Sequence, residues 1–141
     1  MTQNEKDLLL QDLCARLPYG IKFPITVKNP ITSEPIETIG TISDINRYGI
    51  VSFVWDYDGQ EILVKNSLHI KDVKPYLVPL SSMTEEQDKE YALLQTSPCK
   101  EGFLYVWNCA TMMKWLIENH FDYNGLIPKG LTNDVTDKNI Y

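Results

Sequence analysis

Arginine is scarce in this chain, occurring only at Arg16 and Arg47, and the 141 residues carry a formal net charge of −6. A protein that follows a nucleic-acid duplex by its phosphates needs clustered lysine and arginine, so this balance argues against nonspecific duplex binding. Most of the acidity lies after residue 79. Three cysteines, Cys14, Cys99 and Cys109, form no CxxC pair and leave one over, which supports neither a disulfide framework nor a zinc knuckle; buried thiols are the default. The two histidines, His69 and His120, show no His-x-His or His-Glu-x-x-His spacing, so neither a metal site nor a cofactor is expected. No apolar run approaches the ~20 residues that cross a bilayer. The opening residues, Met1 to Asp7, hold acids and amides where a secretory signal would hold bases. A cytoplasmic protein with no membrane association is the expectation.

What is present reads as one domain over 1–141, with a hydrophobic fraction of 43% and a charged fraction of 23% that suit a soluble globular protein. An N-terminal helix over 1–18 is capped by Asn4, carries Leu9, Leu10, Leu13, Cys14 and Leu17 as its apolar stripe, and is stopped by Pro18 and Gly20. A β-meander or small barrel follows over 19–80. Ile21, Phe23, Ile25 and Val27 alternate with polar residues, and Pro24 gives that strand an edge position or a bulge. Ile36 to Ile45 alternates again, with Gly40 marking a bend, and Ile50 to Trp55 is a β-branched and aromatic run. Asp56-Tyr57-Asp58-Gly59 is the strongest hairpin signal, because Asp-Gly readily supplies two positive φ angles. Glu61 to Lys65 returns antiparallel, and a shorter strand runs through Leu68 and Ile70.

Five or so short strands predict an α+β fold built on a small antiparallel, barrel-like sheet, with an SH3-like barrel as first reading and an open five-stranded sheet as second. Lys74-Pro75-Tyr76-Leu77-Val78-Pro79 makes a stiff exit into a helical part over 81–131. Thr84 and Gln87 form a capping box for a helix reaching Leu94 or Gln95, and Ser97-Pro98 and Gly102 break the chain after it. Phe103 to Trp107 reads as extended, and Asn108 caps a last helix from Cys109 to His120 with Ala110, Met113, Leu116 and Ile117 inward. The polar tail, 132–141, is expected to fray until Ile140 and Tyr141.

Three segments carry a family resemblance: Asp12-Leu13-Cys14-Ala15-Arg16-Leu17-Pro18-Tyr19-Gly20; Lys74-Pro75-Tyr76-Leu77 with Ser81-Ser82-Met83-Thr84-Glu85-Glu86; and Trp115-Leu116 with His120-Phe121-Asp122-Tyr123 and Gly125-Leu126-Ile127. Together they resemble a family of short uncharacterised proteins of gut Bacteroidetes, often met in phage-like or mobile regions. The likeness covers both ends and the exit from the sheet. It departs at Asn124, where many relatives carry a basic residue, and at Asn119, where a second histidine is common. It implies a bacterial cytoplasmic or phage-associated origin and no known activity.

Cys99 or Cys109 with His120 and Asp122 is the one combination that offers a nucleophile, a base and an orienting acid. Eleven residues along a continuous helix separate Cys109 from His120 by roughly 16 Å, so no catalytic residue is assigned. Asp56 and Asp58 read as turn residues rather than a carboxylate pair. The aromatics carry the binding expectation: Tyr48, Trp55, Tyr57 and Tyr76 fall at turns and at the sheet exit, with Arg47 and Lys74, and beyond them Lys65 and Lys71, as a basic rim. If exposed, they suit a protein partner such as a proline-rich peptide, with single-stranded nucleic acid as the alternative on the same face. The competing reading has Trp55 and Tyr76 closing the ends of the barrel as core. Net charge adds the option of an acidic decoy for a DNA-binding protein. Self-pairing through the edge strand Ile21 to Lys28 is a further option, which Pro24 limits.

Overall fold

The computed structural model describes the backbone of residues 1–96 and 103–141, and the side chains of residues 1–95 and 109–141. Cys99 and the expected break at Ser97-Pro98 and Gly102 lie outside the described residues.

Helix α1 spans Gln3–Arg16, and its cap is Thr2 rather than Asn4: the Thr2 hydroxyl accepts from the Glu5 amide at 3.2 Å while the Glu5 carboxylate accepts from the Thr2 amide at 2.6 Å. Leu9 and Leu13 are buried, whereas Cys14 falls on the exposed side and Cys109 is exposed as well, against the expectation of buried thiols. A single turn over Leu17–Tyr19 and Gly20 at φ 76° redirect the chain into the sheet.

Strands β1 (Lys22–Lys28), β2 (Pro35–Ile45), β3 (Ile50–Tyr57) and β4 (Gln60–His69) form one antiparallel sheet in sequence order. β1 is an edge, one of the two positions that Pro24 allows. Asp58 and Gly59, at φ 52° and 78°, make the two-residue turn between Tyr57 and Gln60. The separate short strand expected through Leu68 is the end of β4. Asn66, at φ 47°, is accommodated where the β3–β4 register shifts, and the buried Ser52 hydroxyl accepts from its amide at 3.0 Å, so the chain bends without leaving the sheet. The fold is therefore α+β with four antiparallel strands and three helices, and the described residues contain no closed barrel.

One apolar core joins the inner face of the sheet (Phe23, Ile42, Val51, Phe53, Trp55) to Leu9 and Leu13 of α1. The exit strand β5 (Tyr76–Leu77) pairs in parallel with β6 (Asn133–Asp134), and Val78 bridges to Phe121. The tail is consequently pinned rather than frayed: Leu131, Thr132 and Val135 are buried. Helix α2 spans Glu85–Thr96. Helix α3 spans Phe103–Glu118, beginning six residues before the expected Cys109, so the segment read as extended is helical. Among its described side chains Trp115 and Leu116 are buried, while Ala110 and Met113 are exposed, because this part of α3 faces Tyr91 and Leu94 of α2 and Phe121. These residues form a second core beside the first.

Candidate interaction groove

Alternation along β1 and β4 sends Ile25 and Val27 on one side, and Ile62, Val64 and Leu68 on the other, toward Phe53 and Trp55 of β3. Two strands separate β1 from β4 in the sheet order, yet both line one groove of about 450 Å³, so the sheet curls around it. Pro30 stands at its end, and among the described residues Lys28 is the one charged residue lining it. The aliphatic walls are half-buried and the aromatic floor is buried, with Trp55 5% exposed. Trp55 meets Tyr57 edge to face at 5.8 Å, and the Tyr57 hydroxyl lies 3.4 Å from Asn29 Oδ1. Gly40 leaves room for this floor: a Cβ there would come within 3.0 Å of the Phe23 ring and 3.2 Å of the Phe53 ring.

The structure brings together only part of the expected aromatic surface. Trp55 lies in the groove floor, and Tyr57 touches it from outside the lining. Arg47 and Tyr48 occupy the β2–β3 turn at the other end of the strands, where Arg47 Nη2 donates to the Tyr48 hydroxyl at 2.7 Å and its guanidinium lies 4.8 Å from the ring centroid. Tyr48 is 67% exposed. Tyr76 is buried under the tail, with Lys138 Nζ 5.4 Å from its ring, and Lys74 is exposed beside it, its carbonyl accepting from Asn133 Nδ2 at 2.8 Å. Lys65 and Lys71 are exposed on separate segments.

A second arrangement, polar and sealed, closes the opposite end of the core. Arg16 is fully buried against Asp12: Nε donates to Oδ2 at 2.7 Å, and Nη2 donates to Oδ1 at 3.1 Å and to the Phe121 carbonyl at 2.7 Å. Asn124 Nδ2 donates to Asp12 Oδ1 at 2.9 Å, and the Tyr123 ring lies 5.0 Å from the guanidinium. Burial, with the Asp12 charge next, raises the Tyr123 pKa. Asp122 accepts from the Leu126 and Ile127 amides at 2.8 and 2.9 Å. His120, at φ 61°, ends α3 without donating its side chain to the last carbonyls; its ring stacks on Tyr141 at 3.5 Å. The Tyr141 hydroxyl donates to the Tyr76 carbonyl at 2.8 Å and accepts from the Lys22 amide at 3.1 Å. Burial, then the Arg16 and Lys22 charges, pushes His120 down to about 4, and burial pushes Tyr141 up to about 12.

This network ties the end of α1 to Phe121 through Arg16, and the exit strand to the same segment through the Val78–Phe121 bridge. Of the catalytic combination, both Asp122 oxygens accept from backbone amides, the His120 ring stacks on Tyr141 and Cys109 is exposed, while Cys99 lies outside the described residues. Among the described residues, no three His, Cys, Asp or Glu side chains converge as a metal ion needs, and no helix is long and apolar enough to cross a membrane. The residues sequence reading missed are the aliphatic groove walls and the buried Asp12–Arg16 pair. Their signals were the period-two apolar positions on two strands of one sheet, and an acid and a base spaced i,i+4 beside Leu9 and Leu13. No protein-family model, no curated protein and no solved structure matches the chain.

Proposed function

We propose that the protein is a non-enzymatic interaction module that holds an apolar segment of a protein partner in the groove of its curled sheet. The supporting observation is the groove itself, whose 450 Å³ fall within the roughly 300–1,000 Å³ of ligand-holding pockets and whose walls are aliphatic over an aromatic floor. In this reading the sheet acts as the open half of a small barrel with the groove along its seam, and Trp55 and Tyr57 are the members of the expected aromatic set that serve the partner. A single lysine among apolar walls suits a peptide better than a run of phosphates, which would need several cations. The resemblance of the three segments supports, as part of this reading, a bacterial cytoplasmic setting associated with phage or mobile elements.

The test is affinity capture from a native bacterial lysate, with and without nuclease, by the wild-type protein and by Val64→Lys, which sets a charge in the groove wall at a half-buried position. A protein captured in stoichiometric amount after nuclease treatment and lost with Val64→Lys is the expected result. Capture of nuclease-sensitive material that Val64→Lys leaves unchanged would overturn the reading in favour of nucleic acid.

A further inference from the structure

The groove runs along a strand edge whose hydrogen-bonding groups can be assigned residue by residue. The Ile42 amide donates to the Ile21 carbonyl, and the Asn29 amide donates to the Glu34 carbonyl, which fixes the odd-numbered residues of β1 as those that bond to β2. The even-numbered residues, Lys22, Pro24, Thr26 and Lys28, therefore point their amides and carbonyls away from the sheet. Two other facts agree with this phase. The Lys22 amide donates outward to the Tyr141 hydroxyl, and Pro24, which has no amide hydrogen, sits at an outward position.

Tyr141 thus covers the first outward position and Pro24 supplies no donor at the second. Thr26 and Lys28 remain, and these two are the outward positions that line the groove. Their side chains alternate away from Phe53, so they reach the groove along the strand's free edge. The hairpin turn fixes the phase of β4 in the same way as far as the register shift, and over that stretch its outward residues Glu61, Leu63 and Lys65 lie outside the groove; Ser67, past the shift, is the outward β4 residue that lines it, where the strand is irregular. Lys28 is exposed and has no ion-pair partner among the described residues.

We propose that the partner segment binds as an added β-strand on the Thr26–Lys28 edge of β1, with alternate apolar side chains entering the groove and an acidic residue meeting Lys28. The inference rests on the groove reading above and specifies how the segment is held. Main-chain bonds at Thr26 and Lys28 supply affinity, and the apolar walls select side chains with a period of two. Pro24 and Tyr141 confine the addition to one end of the strand, which keeps β1 from a long pairing with a copy of itself.

The experiment selects binders from a displayed library of random short peptides on the full-length protein and measures the recovered peptides against variants. Thr26→Pro removes the outward amide without touching a bond to β2, at a position equivalent to the proline already present two residues earlier. Strand addition predicts that selected peptides carry apolar residues at every second position with an acid toward one end. It also predicts that Thr26→Pro weakens them about tenfold or more, the worth of a lost hydrogen bond and the ring's intrusion on the added strand. Val64→Lys should weaken them at least as much. Peptides with apolar residues at helical spacing, or binding lost with Val64→Lys and unchanged with Thr26→Pro, would overturn strand addition and leave the groove reading standing. Selected peptides indifferent to Val64→Lys would overturn both. Circular dichroism of Thr26→Pro matching wild type shows that any loss reflects the edge and not the fold.

Discussion

The two ends of the sheet's inner face are finished in opposite ways. At the α1 end the core is closed by a charged side chain, Arg16, fully buried and tied to Asp12, to the Phe121 carbonyl and through Asp12 to Asn124. At the other end the same face carries apolar walls that no segment of the described chain covers, around Phe53 and Trp55. A buried ion pair is weak as a source of stability, because desolvation offsets much of the attraction, but it tolerates only one arrangement of the groups around it. Apolar walls over an open groove are the reverse, tolerant of what lies on them and unsatisfied without it. The polar end sets the relative placement of α1, the exit strand and the segment after α3; the apolar end is left for something else.

The largest expected effect breaks the polar end. Asp12→Ala leaves the Arg16 guanidinium buried with the Phe121 carbonyl as its remaining hydrogen-bond acceptor, and should cost about 3–5 kcal/mol in denaturant unfolding. Replacing both members, Asp12→Leu with Arg16→Met, should recover most of that loss if the pair serves to specify the arrangement rather than to stabilise it. A double variant as unstable as the single one would show that the ion pair itself holds the two cores together.

Acid sharpens the comparison from the same end. His120 has its pKa held near 4, below the ordinary 6.5, so the unfolded chain takes up the proton first as pH falls. The sign follows: the full contribution is present above about pH 6.5, declines as pH falls toward 4, and levels off below. Arg16, Lys22 and Tyr141 face the ring and none offers an anion to hold the proton. The loss should amount to about 2 kcal/mol, less than the whole shift because the ring keeps an edge toward solvent. His120→Asn, which tolerates the positive φ, should flatten this slope in urea titrations between pH 7 and 4 relative to wild type. Equal slopes in the two proteins would mean that carboxylates alone carry the acid sensitivity.

The sheet was legible in the sequence because its signals are local. Asp58-Gly59 can adopt its two positive φ angles whatever surrounds it, and Pro24 excludes a central strand by chemistry alone. The closure of the sheet was not legible, since whether β1 meets β4 depends on twist and on two register shifts, at Ile42/Asp44 and Val51/Phe53, that leave no mark on the alternation. The start of α3 was misread because Phe103 to Trp107 is rich in aromatic and β-branched residues, a strand preference that depends on context and does not hold in this helix. The tail was misread for a related reason: its polar composition predicts fraying, and parallel pairing with Tyr76 and Leu77 depends on residues more than fifty positions away. Of the expected aromatic set, Trp55 and Tyr57 lie together because one hairpin carries both, but proximity to a turn could not separate them from Arg47 and Tyr48, which sit at a turn at the opposite end of the strands.

At the open end the effects on stability should be small. Val64→Lys exchanges a half-buried wall residue for one whose stem can still lie along the groove while its ammonium reaches water, so the cost should stay below about 1 kcal/mol even as binding of an apolar segment is lost. A cost comparable to that of Asp12→Ala would show that the groove walls belong to the closed core, and would remove the contrast between the two ends.

Smallest of all should be Tyr48→Ala. The ring is 67% exposed and touches Arg47 of its own turn, an exposed pair whose cation–π contact is worth about 0.5–1 kcal/mol at most. Unfolding free energy should therefore change by less than about 0.5 kcal/mol once the mobility regained by both side chains is counted. Because Tyr48 lies at the far end of the strands from the hairpin that carries Trp55 and Tyr57, capture of a groove partner should be unaffected as well. If Tyr48→Ala abolished capture while Val64→Lys did not, the recognition surface would be the β2–β3 turn with Arg47 and Tyr48, and the groove would be only the unfilled side of a small sheet.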